Sequence, residues 1–392
     1  TFLYGDPHAH LFAYPLTLVV LCWSLSVVLG KIRWGKPLDW VWKILMGALL
    51  IGVLRPTNTW DYPVYLAIGC VSLFYASFNQ GDVPNKIFPR LNEKIRRLIS
   101  TNILVIALAF LSFFLFRSFD RWYGQAYSSI ELWQGDRTPL WAYFIHWGFF
   151  LFILISWLCF RVWDWAKSTP LSSIKPYYEH RKKLFLGLLL LLFFIIALVI
   201  WGLEISLITL PLVLIFLGVL LFSKKENDIF RFSTFLVLTG LALTMAVEVI
   251  ALKGDIGRMN TVFKFYLQSW TLLSISSAFL LINLFTGKNE KRLALPPGWK
   301  ALFGLFLASV LLFPLAASID KINDRMNDMT PLTLDGMDYM KYSTYSENGV
   351  MMDLGQDYHA IRWMQKNISG TPVIVEANVP EYRWGSRFSI YN

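Results

Sequence analysis

The sequence predicts an all-α polytopic membrane protein of about ten transmembrane helices, with a partial α/β segment at the C-terminus, on three observations. Hydrophobic residues make up 56% of the 392 and charged residues 16%, with a mean hydropathy of +0.49, far from the balance of a water-soluble domain. Apolar runs near twenty residues long recur through position 318, and a helix of that length crosses about 30 Å of hydrocarbon. Lys and Arg alternate between loops: 18 fall in 30–37, 79–98, 164–183, 223–229 and 286–299, against 6 in 55–61, 117–139, 202–203 and 253–258. That bias is the positive-inside pattern. It places the basic loops in the cytoplasm, the protein in the plasma membrane, and Thr1, the other loops and the C-terminal tail outside. The net charge of +10 is therefore a topology signal, and no nucleic-acid partner is expected.

The first span, 11–29, follows GDPHAH (residues 5–10). Pro7 biases Asp6 out of the helical region, so Asp6 can be an N-cap with Pro7 at the first helical position. That start signal does not use the histidines, and Asp6, His8 and His10 also form a ligand constellation at the membrane surface, with a divalent metal as the possible occupant. If the helix begins at Pro7, the two imidazoles point about 200° apart and Asp6 pairs with His10; in an extended chain they share a face.

The next two spans, 38–54 and 62–78, are short enough to be tilted or partly re-entrant. RPTNTWDYP (55–63) joins them: Pro56 and Pro63 frame a rigid turn, Asn58 or Asp61 can cap the following helix, and Arg55 can contact an anionic ligand. Spans follow at 99–116, 140–163, 184–201, 204–222, 230–252, 259–285 and 300–318. Cys22, Cys70 and Cys159 all fall inside apolar segments and read as buried, unpaired thiols.

Between the eighth and ninth spans lies KGDIGRMNTVFKFYLQSW (253–270). Gly254 and Gly257 break the preceding span, and Asn260, Lys264 and Gln268 recur at every fourth position, a polar stripe on an apolar helix. Lys264 sits roughly 9 Å along that helix, within reach of the interface by snorkelling. Glu248 either bridges to Lys264, leaving Arg258 at the lipid surface, or leaves both cations to receive a phosphate or pyrophosphate at the positive end of the helix dipole.

Residues 1–318 are thus the membrane domain, and 319–392 an extracytoplasmic tail. In the tail, 319–349 has no apolar periodicity and reads as loop. DYHAIRWMQKNISG reads as a short amphipathic helix with Ile361, Met364 and Ile368 at helical spacing, and TPVIVEA as a buried strand. A helix followed by a strand is the beginning of an incomplete α/β domain. The chain lacks a starting Met and stops at FSIYN, so it is expected to be a piece of a longer protein.

The blocks GDPHAH, RPTNTWDYP, GDIGRMNTVFKFYLQSW and YRWGSRFSIYN resemble an uncharacterised family of bacterial and archaeal multi-pass proteins, the YYY membrane proteins. That family is similar to the GT-C glycosyltransferases, polytopic enzymes that transfer a sugar from a polyprenyl-phosphate carrier on the outer face of the membrane. The resemblance implies a lipid-linked sugar donor, an acidic residue as base or metal ligand, and basic residues for the donor phosphate. The family's acidic first loop and triple tyrosine lie upstream of the His motif and are missing here, so the principal carboxylate can lie outside this chain.

On this chain those roles go to Asp6, His8 and His10 as the catalytic and metal-type group. Arg258, Lys264 and Arg55 are donor-phosphate ligands, with Asp61, Asp255, Asn260 and Glu248 in support. Arg383, Trp384 and Arg387 form an acceptor-side wall. Two other classes compete with the enzyme. A lipid or solute transporter would place ionisable groups near the bilayer midplane, often in a repeated half. A non-catalytic scaffold of a cell-surface assembly would hold a stable partner subunit. Neither the oligomeric state nor the sugar can be read from the sequence.

Overall fold

Long apolar segments with few charges satisfy their backbone groups only as helices in a hydrocarbon surrounding, and helices dominate the computed structural model. It describes residues 8–79, 90–124, 129–170, 172, 178, 180–222, 226–286, 295–326, 328–380 and 383–392. Among these, eight helices are long and apolar enough to cross a membrane, and two shorter apolar ones, Tyr62–Phe78 and Ser206–Phe222, stand at the other two expected spans. The chain is a polytopic, mostly helical membrane protein.

In order, the helices are α1 (Ala9–Gly30), α2 (Pro37–Gly52) with its one-turn continuation α3 (Leu54–Thr57), α4 (Tyr62–Phe78), α5 (Glu93–Phe114) and α6 (Arg117–Trp122). Strand β1 (Ile130–Leu132) precedes α7 (Leu140–Ser168), α8 (Arg181–Ile200), α9 (Ser206–Phe222) and α10 (Asp228–Ala246). Strand β2 (Ile250–Leu252) leads into α11 (Met259–Thr286) and α12 (Pro297–Arg325). The expected span 230–252 is therefore shorter than its apolar run. Its last residues leave the helix to pair antiparallel with β1, Ile130 opposite Leu252 and Leu132 opposite Ile250. Apolar length alone does not separate a helix end from a buried strand.

The chain divides into two compact units, one of Pro7–Phe306 and one that includes Leu307–Asn392. In the first, α1, α2, α4 and α5 pack around Trp23, Ile51, Ile68 and Leu108, while α7, α9 and α10 pack around Trp147, Trp157, Phe216 and Leu241. Helices α10 and α11 contribute to both groups. Hydroxyl pairs cross between helices: Ser77 with Thr101 at 2.8 Å, Tyr62 with Ser112 at 2.9 Å and Tyr143 with Thr244 at 3.0 Å. Lipid offers no hydrophobic drive between spans, so small residues and such bonds carry the association. Gly52 shows how closely: a Cβ there would lie 2.5 Å from the Ser112 backbone oxygen.

Helices α8 and α12 are different. Their apolar windows are 6% and 0% buried among the described residues, although the start of α12 packs on α7, Trp299 stacking on Phe152; an apolar surface left so open suits a lipid surrounding. Cys22 and Cys159 are also exposed on their spans and Cys70 is half-buried, so the thiols are unpaired as expected but two of them are not interior.

The second unit corrects two expectations. Residues expected as loop contain the hairpin β3 (Thr344–Glu347) and β4 (Val350–Asp353). Asn348 and Gly349 turn it with φ of 51° and 79°, the left-handed pair that a two-residue hairpin requires. The expected strand at TPVIVEA is irregular, with Val373 and Val375 97% exposed; no second strand lies beside it among the described residues, and an unpaired strand has nothing to complete its backbone bonds. Helix α13 (Leu354–Asn367) forms as expected, capped by Asp353, which accepts from Gly355 N at 2.8 Å. It buries Ile361, while Ile368 falls beyond its end. With Met337, Met340, Leu354 and Tyr358 it builds a small core, against which Trp384 and the short α14 (Arg387–Tyr391) pack.

Candidate functional site

Alternate loops of the bundle meet at one end, and three polar groups form there. The first surrounds Asp61, 5% exposed in the turn before α4. Asn58 Nδ2 donates to Oδ2 at 2.9 Å and Gln268 Nε2 to Oδ1 at 2.8 Å. Gln268 also donates to the Trp60 carbonyl at 3.2 Å, while its own Oε1 is buried without a partner among the described residues. Lys264, one turn earlier on the same face of α11, acts electrostatically on both Asp61 and Asp255. Burial pushes the Asp61 carboxyl up to about 6; the bonds from Asn58 and Gln268 and the Lys264 charge oppose it and lose.

Asp255 anchors the start of α11. Its carboxylate accepts from Thr261 N and Oγ1, both at 2.8 Å, and from Asn260 N at 3.2 Å and Nδ2 at 3.0 Å. Partial burial raises its pKa, but the four bonds outweigh this and hold it below the usual carboxylate range. Leu252 N donates to Thr261 Oγ1 at 2.9 Å, tying β2 to the same cap.

The second group is Arg55, 7% exposed. Its guanidinium lies 4.0 Å from the Phe113 ring centroid and 5.5 Å from that of Tyr62, and is paired with Asp120. Beside it opens a cleft of about 470 Å³ lined by Trp60, Tyr62, Phe119 and Tyr123 together with this ion pair. Aromatic faces beside a charged pair form an amphipathic surface that suits a polyhydroxylated ligand.

The third group is closed. Glu248 is completely buried and accepts from Thr138 N at 2.8 Å, Thr138 Oγ1 at 2.6 Å and Arg258 Nη1 at 2.9 Å. Arg258 also donates to Val247 O at 2.8 Å and Thr138 Oγ1 at 3.1 Å. Arg137 donates to Glu248 O at 3.0 Å and Trp201 O at 2.7 Å, and Glu204 accepts from Leu140 N at 2.8 Å. The expected Glu248–Lys264 bridge is thus replaced by Glu248–Arg258. Glu248 lies in the turn between α10 and β2.

Of the first motif, Asp6 lies outside the described residues. Helix α1 begins at Ala9 with His8 extended before it (ψ 153°). His10 is buried edge-on against Phe263 with ring centroids 4.7 Å apart, and the His8 ring lies tilted to that of His10 at 5.5 Å. Among the described residues no three His, Cys, Asp or Glu are placed to hold a metal ion; the two imidazoles alone do not make such a site. In the second unit, Trp384 Nε1 donates to Asp357 Oδ2 at 2.8 Å, Arg387 pairs with the same carboxylate at 2.5 Å and Arg383 with Glu347 at 3.4 Å. These three residues come together, with their polar groups spent on acids of their own unit.

Sequence reasoning did not single out Asp120, Arg137, Thr138 or Glu204. The first three lie within FDRWYGQAYSSIELWQGDRTP, where no helical period tells a partner from a surface residue. A family model described as an uncharacterized membrane protein (DUF2298) matches residues 1–273. No curated protein and no solved structure matches the chain.

Proposed function

The chain belongs to the DUF2298 family of uncharacterised membrane proteins, and we propose that it is a glycosyltransferase of GT-C type, moving a sugar from a polyprenyl-phosphate donor to an acceptor hydroxyl at the outer face of a plasma membrane. One observation carries the reading: a buried carboxylate, Asp61, with a cation, Lys264, acting on it and an aromatic cleft opening from the same turn. The likeness of GDPHAH and the 254–270 block to the YYY proteins supports it, and the alternation of Lys and Arg supports the orientation.

In this mechanism the Asp61 carboxylate accepts the proton of the acceptor hydroxyl as its oxygen bonds to the anomeric carbon. The bond from that carbon to the phosphate oxygen breaks, its electron pair stays on the leaving phosphate, and the Lys264 ammonium stabilises that charge. Gln268 Oε1, buried without a partner among the described residues, is an acceptor that a sugar hydroxyl would satisfy. The cleft beside Arg55 receives the sugar. His8 and His10 take no step in this mechanism, and none is routed through a metal. Arg258 is a positioning residue, since Glu248 already neutralises it.

The test supplies membranes carrying the protein with polyprenyl-phosphate sugars. Asp61→Asn and Lys264→Met should abolish the covalent product at unchanged protein level. Wild-type transfer by both variants removes the site assignment, and solute flux across vesicles without a covalent product favours a transporter.

A further inference from the structure

The opposite end of the bundle carries a second cleft, of about 200 Å³, where α1 and α4 face α9 and α10. Its walls are apolar (Val28, Val71, Leu221, Phe235) and its polar groups are Arg231, Asn79, Tyr75 and Ser72. Two of these groups point to a ligand. Ser72 is 2% exposed, and its hydroxyl has no partner among the described residues although it lines the cleft. Arg231 brings a guanidinium to the cleft beside its apolar walls, donating to Leu220 O at 3.3 Å. Asp228, one turn before Arg231 on α10, accepts from the Tyr75 hydroxyl at 2.7 Å. Arg97 donates to Phe78 O at 3.1 Å, one residue from Asn79.

We infer that this cleft binds an anionic membrane phospholipid, its phosphate on Arg231 and Asn79 and one acyl chain along Val71 and Leu221. Three things fix that occupant. The loops at this end hold 18 Lys and Arg against 6 at the other, and basic pockets between spans are where anionic head groups settle. Val71 and Leu221 are 44% and 62% exposed, so the cleft opens to the acyl chains around the bundle. Its volume takes part of a lipid rather than a whole soluble ligand. The site would join α4 of one packing group to α9 of the other, and it stands apart from the transfer reading.

The experiment measures lipid retained by the purified full chain, by native mass spectrometry after delipidation and readdition of phosphatidylglycerol or phosphatidylcholine. Wild type should hold phosphatidylglycerol roughly fivefold to tenfold more tightly, the worth of one charge contact at a membrane surface. Arg231→Gln should erase the preference, and Val71→Trp, which fills the open wall, should lower retention of both lipids. Equal retention of the two lipids by wild type, or an undiminished preference in R231Q, overturns the inference. If R231Q fails to fold, unchanged retention by V71W overturns it. Displacement of the bound lipid by millimolar inorganic phosphate would make the ligand a soluble anion and overturn it as well.

Discussion

Glu248 and Arg258 meet at 2.9 Å, with the carboxylate wholly out of solvent and the guanidinium 12% exposed. Thr138 completes the carboxylate's bonds, so one buried pair fastens the loop before α7 to both ends of the α10–α11 turn. Removing one partner of such a pair strands a buried charge, which costs about 3–5 kcal/mol, whereas removing both costs far less. Arg258→Met should lower unfolding stability in detergent by that order, and Glu248→Gln with Arg258→Met should recover part of it. If R258M instead unfolds like wild type while transfer is lost, Arg258 is a phosphate ligand.

Asp61 carries the pH dependence. Its folded-state pKa of about 6 lies above the ordinary 3.8, so the folded protein holds this proton more tightly than the unfolded chain does. The associated stability is full below pH 3.8 and is lost as pH rises through about 6. Transfer needs the ionised form and so rises over the same window. The expected rate profile is a single-proton rise near pH 6, absent in D61N; a profile flat from pH 5 to 8 in wild type removes Asp61 as the base.

Asp255 has the opposite sign. Its pKa is held below the ordinary value, so its contribution is present above pH 3.8 and disappears as pH falls through the lowered folded value. Asp255→Ala removes the acceptor for four hydrogen bonds at the start of α11 and should cost about 1–2 kcal/mol. Thermal unfolding at pH 7 checks the loss, and it should shrink at low pH.

Gly52 tests the close approach of α2 to α5. Gly52→Ala must push back a backbone oxygen at 2.5 Å and should cost about 1–3 kcal/mol through strain. Gly187→Ala, on lipid-facing α8 with open space around it, should be neutral or slightly stabilising. Equal effects of the two would mean the helices separate freely.

The polytopic helical class and the places of the apolar helices were legible because each is a long apolar run whose need for internal hydrogen bonds leaves one solution. What failed was local. The run 230–252 reads as one helix because Ile250 to Leu252 are as apolar in a strand as in a span. Asn348-Gly349 was a readable hairpin signal that the absence of helical period concealed. At the site, the spacing of Asn260, Lys264 and Gln268 placed a polar stripe, and the structure bonds Gln268 to Asp61, with Lys264 acting on that carboxylate electrostatically, while Asn260 joins the Asp255 cap. The partner of Glu248 was not legible, because Arg258 and Lys264 differ by a face of α11 that only the turn through Gly254 and Gly257 decides. Asp120, 65 residues from Arg55, carries no local mark of its pairing.

Helices α8 and α12 show almost no burial along their apolar lengths. Such a surface is solvated by a fluid that does not distinguish Leu from Ile or Phe, so selection there acts on total oiliness and not on the identity of any one side chain. Positions 184–199 should accept wholesale shuffling of their apolar residues with folding intact, a tolerance that the tightly fitted α2 and α5 would never show.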